Sequence, residues 1–338
     1  MSKRWKTGIF FIVVLLGAYA VSAHFMVHRQ LYAHWQNRWH GNQAPDKNIW
    51  LPDYKAVIQA KPVASVTDLS GITYDPDRDR LLGITNSSSM EIVALSRNGD
   101  LLERYPLIGF QDTEGIAYLG NGRVVIADEV LQRLYVLTLP ASAGPIQVEN
   151  AQFVAIEINL SEHNKGFEGV AYDAANDRIF AIKERDPRQL YSVTGMLASI
   201  DGSLQVRIKD LTSWIDRSVF GMDLSEGYYD SRTGHLLVLS EQSSNLTELD
   251  QDGNFVSIRS LLHLTDDLEK TIPQAEGMTM DADGELYVVS EPNLFYRFTK
   301  SKTAVAESQP KREWVLCWMG RPLREQARLC LAQELDWG

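Results

Sequence analysis

The chain has 338 residues, a net charge of −11, 44% hydrophobic residues and two cysteines. These values are typical of an ordered globular protein, and they exclude the collagen-like, disulfide-dense and disordered classes. Affinity for phosphate backbones comes mainly from clustered Lys and Arg, so the acidic balance argues against a nucleic-acid partner. Cations are the more natural ligands.

The first predicted element is an apolar helix at the N-terminus. Three basic residues precede an apolar stretch of 20 residues, from residue 8 to residue 27. A helix of that length covers the hydrocarbon layer of a bilayer, and the preceding positive charges predict that the rest of the chain is exported. Residues 1–27 are therefore predicted to anchor the protein in a membrane, with its body outside the cytoplasm. The alternative is a cleaved signal peptide that leaves a soluble exported protein, because Val21-Ser22-Ala23 resembles a cleavage site.

The next segment, residues 28–53, lacks hydrophobic periodicity. It is predicted to be a tether that contains at most a short juxtamembrane helix and is excluded from the core.

An internal repeat determines the predicted architecture. A short phrase with a central glycine returns five times, and its glycines are 44, 54, 58 and 50 residues apart. That period is typical of the blades of a β-propeller. The five phrases are Leu69-Ser70-Gly71-Ile72-Thr73-Tyr74-Asp75, Thr113-Glu114-Gly115-Ile116-Ala117-Tyr118, Phe167-Glu168-Gly169-Val170-Ala171-Tyr172-Asp173, Ser225-Glu226-Gly227-Tyr228-Tyr229-Asp230 and Ala275-Glu276-Gly277-Met278-Thr279-Met280-Asp281.

Each phrase is followed by a turn and a second apolar run, which reads as a second strand. Third strands follow, and the clearest fourth strands are 153–156 and 314–317. The sequence therefore predicts an all-β, five-bladed propeller over residues 54–318. The segment 54–58 is expected to join the last blade as the closing strand, because an open ring would leave unpaired edges.

The C-terminal extension, residues 319–338, is predicted to be helical, since Leu323, Ala327, Leu331 and Leu335 have helical spacing. Cys317 and Cys330 could form a disulfide in an exported protein or remain as two buried thiols.

Oxygen-bearing side chains recur at two positions of the repeat. Four phrases have Glu before the glycine, and another acid or amide follows the second strand in every blade. An up-and-down strand pair places both positions on one face of the propeller. The candidate metal ligands are Glu114, Glu168, Glu226, Glu276, Glu129, Glu184, Glu241, Glu291, Asp128 and Asn86.

Carboxylates gathered around an axis repel one another, by roughly 3 kcal/mol for a pair about 6 Å apart at an effective dielectric constant of about 20. A bound Ca²⁺ relieves this repulsion, because Ca²⁺ accepts six to eight oxygen ligands. The alternative is structural: a Glu before Gly can accept hydrogen bonds from backbone amides of the neighbouring blade and hold the blades in register.

Several of these phrases identify a family. The chain resembles the SdiA-regulated family, also called the YjiK or CarP type. The resemblance is carried by the phrase 69–75 with Thr85-Asn86, the phrase 112–116 and the run 127–129. The resemblance covers roughly residues 54–300. It implies a five-bladed propeller distantly related to NHL-repeat proteins, a bound calcium ion and an N-terminal membrane segment in bacteria. The family name records control by a quorum-sensing regulator, and its CarP branch is associated with calcium-responsive behaviour.

Two functions remain open at this point. The first is a periplasmic calcium-binding module that senses or buffers Ca²⁺, or that presents a surface to another envelope protein. The second is a metal-dependent phosphoesterase or lactonase that uses the same acidic face. A phosphoester substrate also requires cations, and Lys183, Arg185 and Arg188 form the cationic cluster beside a predicted ligand, although they also suit solvated loop charges.

Overall fold

The computed structural model describes residues 3–24, 27–44, 47–156, 166–263 and 267–301. β-Strands contain more of these residues than helices do. The helices are α1 (Lys3–His24), α2 (Val27–His40), α3 (Met196–Ile200) and α4 (Thr212–Ser218), and the 3-10 turns are Leu51–Asp53, Val148–Asn150 and Ala174–Asn176.

Five mainly antiparallel sheets follow one another along the chain, and the first four each begin with their innermost strand. The chain enters through β1 (Tyr54–Pro62), which belongs to the last blade. The first blade consists of β2 (Leu69–Asp75), β3 (Arg80–Thr85), β4 (Glu91–Leu95) and β5 (Leu101–Ile108). The second consists of β6 (Thr113–Gly120), β7 (Arg123–Asp128), β8 (Arg133–Thr138) and β10 (Gln152–Ala155). The short β9 (Ile146–Gln147) lies between β8 and β10 in the chain and pairs in parallel with β5 of the first blade.

The remaining three blades have the same plan. The third consists of β11 (Phe167–Asp173), β12 (Arg178–Lys183), β13 (Gln189–Thr194) and β14 (Arg207–Asp210). The fourth consists of β15 (Glu226–Asp230), β16 (His235–Ser240), β17 (Asn245–Leu249) and β18 (Phe255–Ser260). The fifth consists of β19 (Ala275–Met280), β20 (Leu286–Ser290), β21 (Leu294–Lys300) and β1. The all-β, five-bladed propeller predicted from the repeat is confirmed.

The ring closes through the N-terminal strand. β1 pairs antiparallel with β21, with Tyr54 opposite Lys300 and Pro62 opposite Leu294. The predicted closing strand is confirmed. Residues 314–317, predicted as another fourth strand, lie outside the described residues. Closure by the N-terminal strand pairs the first and last parts of the propeller and removes an open edge.

The core lies between the blades. Five clusters of buried side chains each join two neighbouring blades, so that the set runs round the ring. In the cluster between the fourth and fifth blades, Leu237 and Leu239 pack with Met278 and Leu286. Both faces of each inner strand are therefore buried. This explains why strands such as β3 appear in the sequence as continuous apolar runs rather than as alternating patterns.

The segment before β1 packs on the fourth blade. Glu248, which is fully buried, accepts hydrogen bonds from the amides of Ile49 at 2.8 Å and Trp50 at 2.9 Å. Leu51 is fully buried in the cluster between blades four and five. The prediction that residues 28–53 stay outside the core is therefore wrong at these positions, because a buried carboxylate requires donors and this segment provides them.

Among the described helices, none combines the length and the apolar character needed to cross a membrane. The predicted C-terminal helix and the two cysteines lie outside the described residues.

Candidate metal centre

The repeat glycines lie where the inner strands approach one another. A Cβ added to Gly115 would lie 2.6 Å from the carbonyl oxygen of Glu168 in the next blade. One added to Gly71 would lie 2.6 Å from the carbonyl oxygen of Glu114. Real Cβ atoms do not approach backbone atoms this closely, so glycine is required for the strands to meet at the axis.

The residue before each glycine does not have the same environment in every blade. In four blades the inner strand pair has a register irregularity at this position, as between Phe167 and Gly169. The fourth blade is regular, with Glu226 directly opposite Leu239. A bulge turns the side chain of its extra residue in a new direction. Consequently Glu168 is half-buried, whereas Glu226 is only 1% exposed.

Two overlapping groups of carboxylates converge between the second and third blades. One group is Asp112, Glu114 and Glu129, and the other is Glu129, Glu168 and Glu184. Within each group, one oxygen from every residue lies within 4.8 Å of the others. Four of the predicted ligands are therefore brought together. Asp112 is an addition to the predicted set, and its carbonyl oxygen accepts a hydrogen bond from the Glu129 amide at 2.9 Å.

Burial and mutual repulsion make these carboxylates hard to ionise. Burial, followed by the charges of Asp112 and Glu129, raises the pKa of Glu114 to about 9. Burial is also the main cause that raises the pKa values of Glu129 and Glu184 to about 7. The pKa of Glu168 is raised well above its ordinary value by burial and by the surrounding carboxylates. Part of the cluster therefore holds protons at neutral pH when no cation is present.

Hydrogen bonds fix the carboxylates in place. The side-chain amide of Asn86 donates to the Glu114 carboxylate, so this predicted ligand is next to the cluster. The amide of Gly166 donates to Oε1 of Glu129 at 3.0 Å. Asp128 is buried and accepts two backbone amides of the adjoining loops, at 2.9 and 3.2 Å. The carboxylate of Asp128 is thus engaged in loop structure beside the cluster.

Glu226 lies in the hub and joins the blades. Its Oε1 accepts the amide of Val170 in the third blade at 2.8 Å and the amide of Gly227 at 2.9 Å. Its Oε2 is buried and has no hydrogen-bond partner among the described residues, and burial raises the pKa of Glu226 well above the ordinary value. These contacts are the blade-to-blade hydrogen bonds that the sequence left open as the structural alternative.

The other predicted ligands form a separate acidic group on the fourth and fifth blades. Burial, followed by the charges of Glu241 and Glu291, raises the pKa of Glu276 to about 8. Burial also raises the pKa values of Glu241 and Glu291. These three carboxylates are not members of the two convergent groups found among the described residues.

The cations near the cluster are engaged within the protein. The Nζ atom of Lys183 donates to two backbone carbonyl groups, at 2.6 and 3.3 Å. Arg188 donates to two more carbonyl groups, and Arg185 forms an ion pair with Glu184 at 2.9 Å. All three residues therefore behave as loop charges with local partners. They no longer support a phosphoester-binding site.

A separate axial cavity lies at the other end of the inner strands. It is lined by the second halves of these strands, including Tyr74, Tyr118, Tyr172 and Met280. None of the predicted metal ligands lines it. The apolar cavity and the carboxylate cluster therefore belong to opposite ends of the hub.

The donor set identifies the class of cation that fits. All five convergent side chains offer carboxylate oxygens, which suit hard cations. Six to eight such oxygens at a flexible site are typical of Ca²⁺, whereas structural zinc prefers His and Cys ligands. A hard cation bound through oxygen could therefore be held by Asp112, Glu114, Glu129, Glu168 and Glu184.

Solved structures that match this chain do so at low sequence identity and low TM-score. A luciferin-regenerating enzyme is 14% identical with a TM-score of 0.45, and the match covers 72% of this chain and 95% of that chain. A gluconolactonase from Xanthomonas campestris is 14% identical with a TM-score of 0.43, covering 70% of this chain and 73% of that chain. A streptogramin B lyase is 9% identical with a TM-score of 0.43, covering 73% of this chain and 97% of that chain.

The family comparison covers most of the chain. The family model described as SdiA-regulated matches residues 46–299, which include all strands of the five blades except the last residue of β21. The chain therefore belongs to the SdiA-regulated family.

Proposed function

We propose that this protein is a calcium-binding propeller that senses or buffers Ca²⁺, or that presents a calcium-stabilised surface to another protein of the cell envelope. The observation that carries the proposal is the convergence of five carboxylates from two adjacent blades, with Glu129 common to both groups. Such a cluster is costly without a counter-charge, and a divalent cation is the simplest counter-charge for it.

The rigidity of the surroundings supports binding rather than chance proximity. Glu114 and Glu129 are hydrogen-bonded by neighbouring amides, which orient their oxygens before a ligand arrives. Hydrogen bonds from neighbouring groups to the ligand carboxylates are typical of metal sites. Because several of these carboxylates hold protons at neutral pH, calcium binding at this site would release protons.

Isothermal titration of Ca²⁺ into the full-length protein tests the proposal. We expect Glu129→Gln to weaken calcium binding at least about tenfold, which corresponds to about 1.4 kcal/mol, because the variant removes the carboxylate that both groups share. Glu291→Gln is the matched control, since it changes an acid of the repeat that lies outside the two groups. Equal affinities for the two variants, or no heat of binding with the unmodified protein, would contradict the proposal.

The same two variants address the hydrolase alternative. A metal-dependent lactonase or phosphoesterase would turn over a generic lactone or phosphate ester, and Glu129→Gln would abolish that turnover. We expect no turnover under conditions in which calcium binds. Calcium-dependent hydrolysis would show that the protein is an enzyme rather than a binding module.

We also propose that the propeller is exported to the periplasm, with its N-terminal segment serving as an inner-membrane anchor or as a cleaved leader. The support is the sequence pattern of three basic residues followed by the apolar run 8–27. Fractionation of cells that express the full chain should place it in the periplasm or on the periplasmic side of the inner membrane. Recovery in the cytosol of spheroplasts, after the periplasmic contents have been released by osmotic shock, would contradict export.

A further inference from the structure

Helix α2 presents large apolar side chains to solvent. Leu31, Trp35 and Trp39 are 64%, 54% and 74% exposed. Residues four positions apart lie on the same face of a helix, so these three side chains form one stripe. His34 and Arg38 are also exposed and lie along the same face. The outward face of α2 is thus both apolar and cationic.

The opposite face of α2 is docked on the fourth blade. The side-chain amide of Asn37 donates to the carbonyl oxygen of Ile258 at 2.7 Å, and its carbonyl oxygen accepts the Ile258 amide at 2.9 Å. Asn37 therefore pairs with the outer edge of β18 in the way that a further strand would. Ala33 is buried, and the ring of Tyr32 lies 4.2 Å from that of Phe220. These contacts fix the rotation of the helix, so the tryptophan stripe cannot turn towards the core.

The apolar surface continues from α2 onto the propeller. Phe220, which contacts Tyr32, is 44% exposed, and Met222 in the same loop is 59% exposed. Contiguous exposed apolar surface of this kind typically marks an interaction site. A stripe with two tryptophans is particularly informative, because tryptophan favours the boundary between water and lipid acyl chains.

Charge identifies the partner that fits this surface. The whole chain has a net charge of −11, but α2 contains no Asp or Glu and includes Arg29 and Arg38. An acidic protein that concentrates positive charge and tryptophan on one short helix is complementary to an anionic lipid surface. The helix also begins three residues after the end of α1, whose residues 8–24 are predominantly apolar.

We propose that α2 lies along the surface of an anionic bilayer, with Leu31, Trp35 and Trp39 inserted at the level of the headgroups. The fourth blade is then held against the membrane through Asn37 and Tyr32. This inference does not depend on calcium binding. It also holds whether the segment before α2 is retained as an anchor or removed, because it concerns the exposed face of α2 itself.

Fluorescence of the full chain in vesicles tests the proposal. The parent protein carries Trp5→Phe, so that the tryptophan in α1 does not contribute. It is compared with the same protein carrying Trp35→Ser and Trp39→Ser, in vesicles of phosphatidylethanolamine and phosphatidylglycerol with brominated acyl chains. We expect brominated lipid to quench a blue-shifted part of the parent emission, and this part to be missing from the double variant. Leu204→Ser is the matched control, because Leu204 is 85% exposed in another blade.

Further measurements separate the lipid surface from other occupants. Arg38→Glu should reduce the quenching with phosphatidylglycerol and leave it unchanged in uncharged phosphatidylcholine. Equal quenching in the parent and the double variant would overturn the proposal. It would also be overturned if the two tryptophans were shielded from acrylamide before lipid is added, or if light scattering showed a dimer that the double variant converts to a monomer. Unchanged circular dichroism of the variants verifies that the fold is retained.

Discussion

In metal-free buffer, the melting temperature of the protein is expected to fall by roughly 5–10 °C as the pH rises from about 5 to about 9. The reason is that buried carboxyl groups hold their protons in the folded protein and lose them in the unfolded chain. The pKa values are raised from 4.5 to about 9 for Glu114, about 8 for Glu276 and about 7 for Glu129 and Glu184.

The direction of the effect follows from proton linkage. Between pH 4.5 and about pH 9 the folded state binds more protons than the unfolded state at these groups, so the free energy of unfolding decreases as the pH rises. Below this window both states are protonated, and above it both are ionised. The stabilising contribution of the protonated carboxyl groups is therefore present at low pH and is lost progressively through the window.

Calcium should reverse this trend. A ligand that binds only the folded state stabilises it by about 2.7 kcal/mol at a free concentration of about 100 times its Kd. The stabilisation should grow with pH, because fewer protons have to be displaced. Differential scanning calorimetry at pH 6, 7, 8 and 9, with calcium or with a chelator, measures both effects. A metal-free melting temperature that is constant or that rises over this range would contradict the account of the cluster.

The second large effect is expected at the hub. We expect Glu226→Ala to lower the free energy of unfolding by about 3–5 kcal/mol, since it leaves the buried amides of Val170 and Gly227 without an acceptor and opens a cavity. Glu226→Gln retains a carbonyl acceptor and nearly the same volume, so its cost should be about 1 kcal/mol. Denaturant unfolding in metal-free buffer measures both values.

Calcium titration of Glu226→Gln distinguishes the two roles of this residue. If Glu226 acts only as a contact between blades, the Gln variant retains calcium binding, and that is the expected result. If Glu226 is a metal ligand, the Gln variant binds calcium more weakly. Equal destabilisation by the Ala and Gln variants would mean that the hydrogen bonds from the neighbouring blades do not hold the hub together.

The repeat contained enough information to predict the blades. The phrases 69–75 and 167–173 have the same bounds as β2 and β11, because each is a short apolar run bounded by turn residues. The outer strands could not be predicted in this way. β14, for example, is exposed along its whole length and carries no apolar signal, and β9 has two residues.

The sequence predicted that the candidate site consists of carboxylates, but not which of the carboxylates converge. The repeat implies five equivalent positions, whereas the bulge beside Glu168 and its absence beside Glu226 give the two glutamates different environments. The repeat phrase carries no signal for this difference, because the residues after Gly169 and after Gly227 both pair in regular register. Asp112 was missed because no acid recurs two positions before Glu in the third blade.

The most direct test of calcium binding is anomalous diffraction from crystals of the full chain grown with calcium. The account predicts a calcium peak bounded by the carboxylates of Asp112, Glu114, Glu129, Glu168 and Glu184. A map with no peak between the second and third blades, in crystals that contain calcium at a saturating concentration, would contradict it.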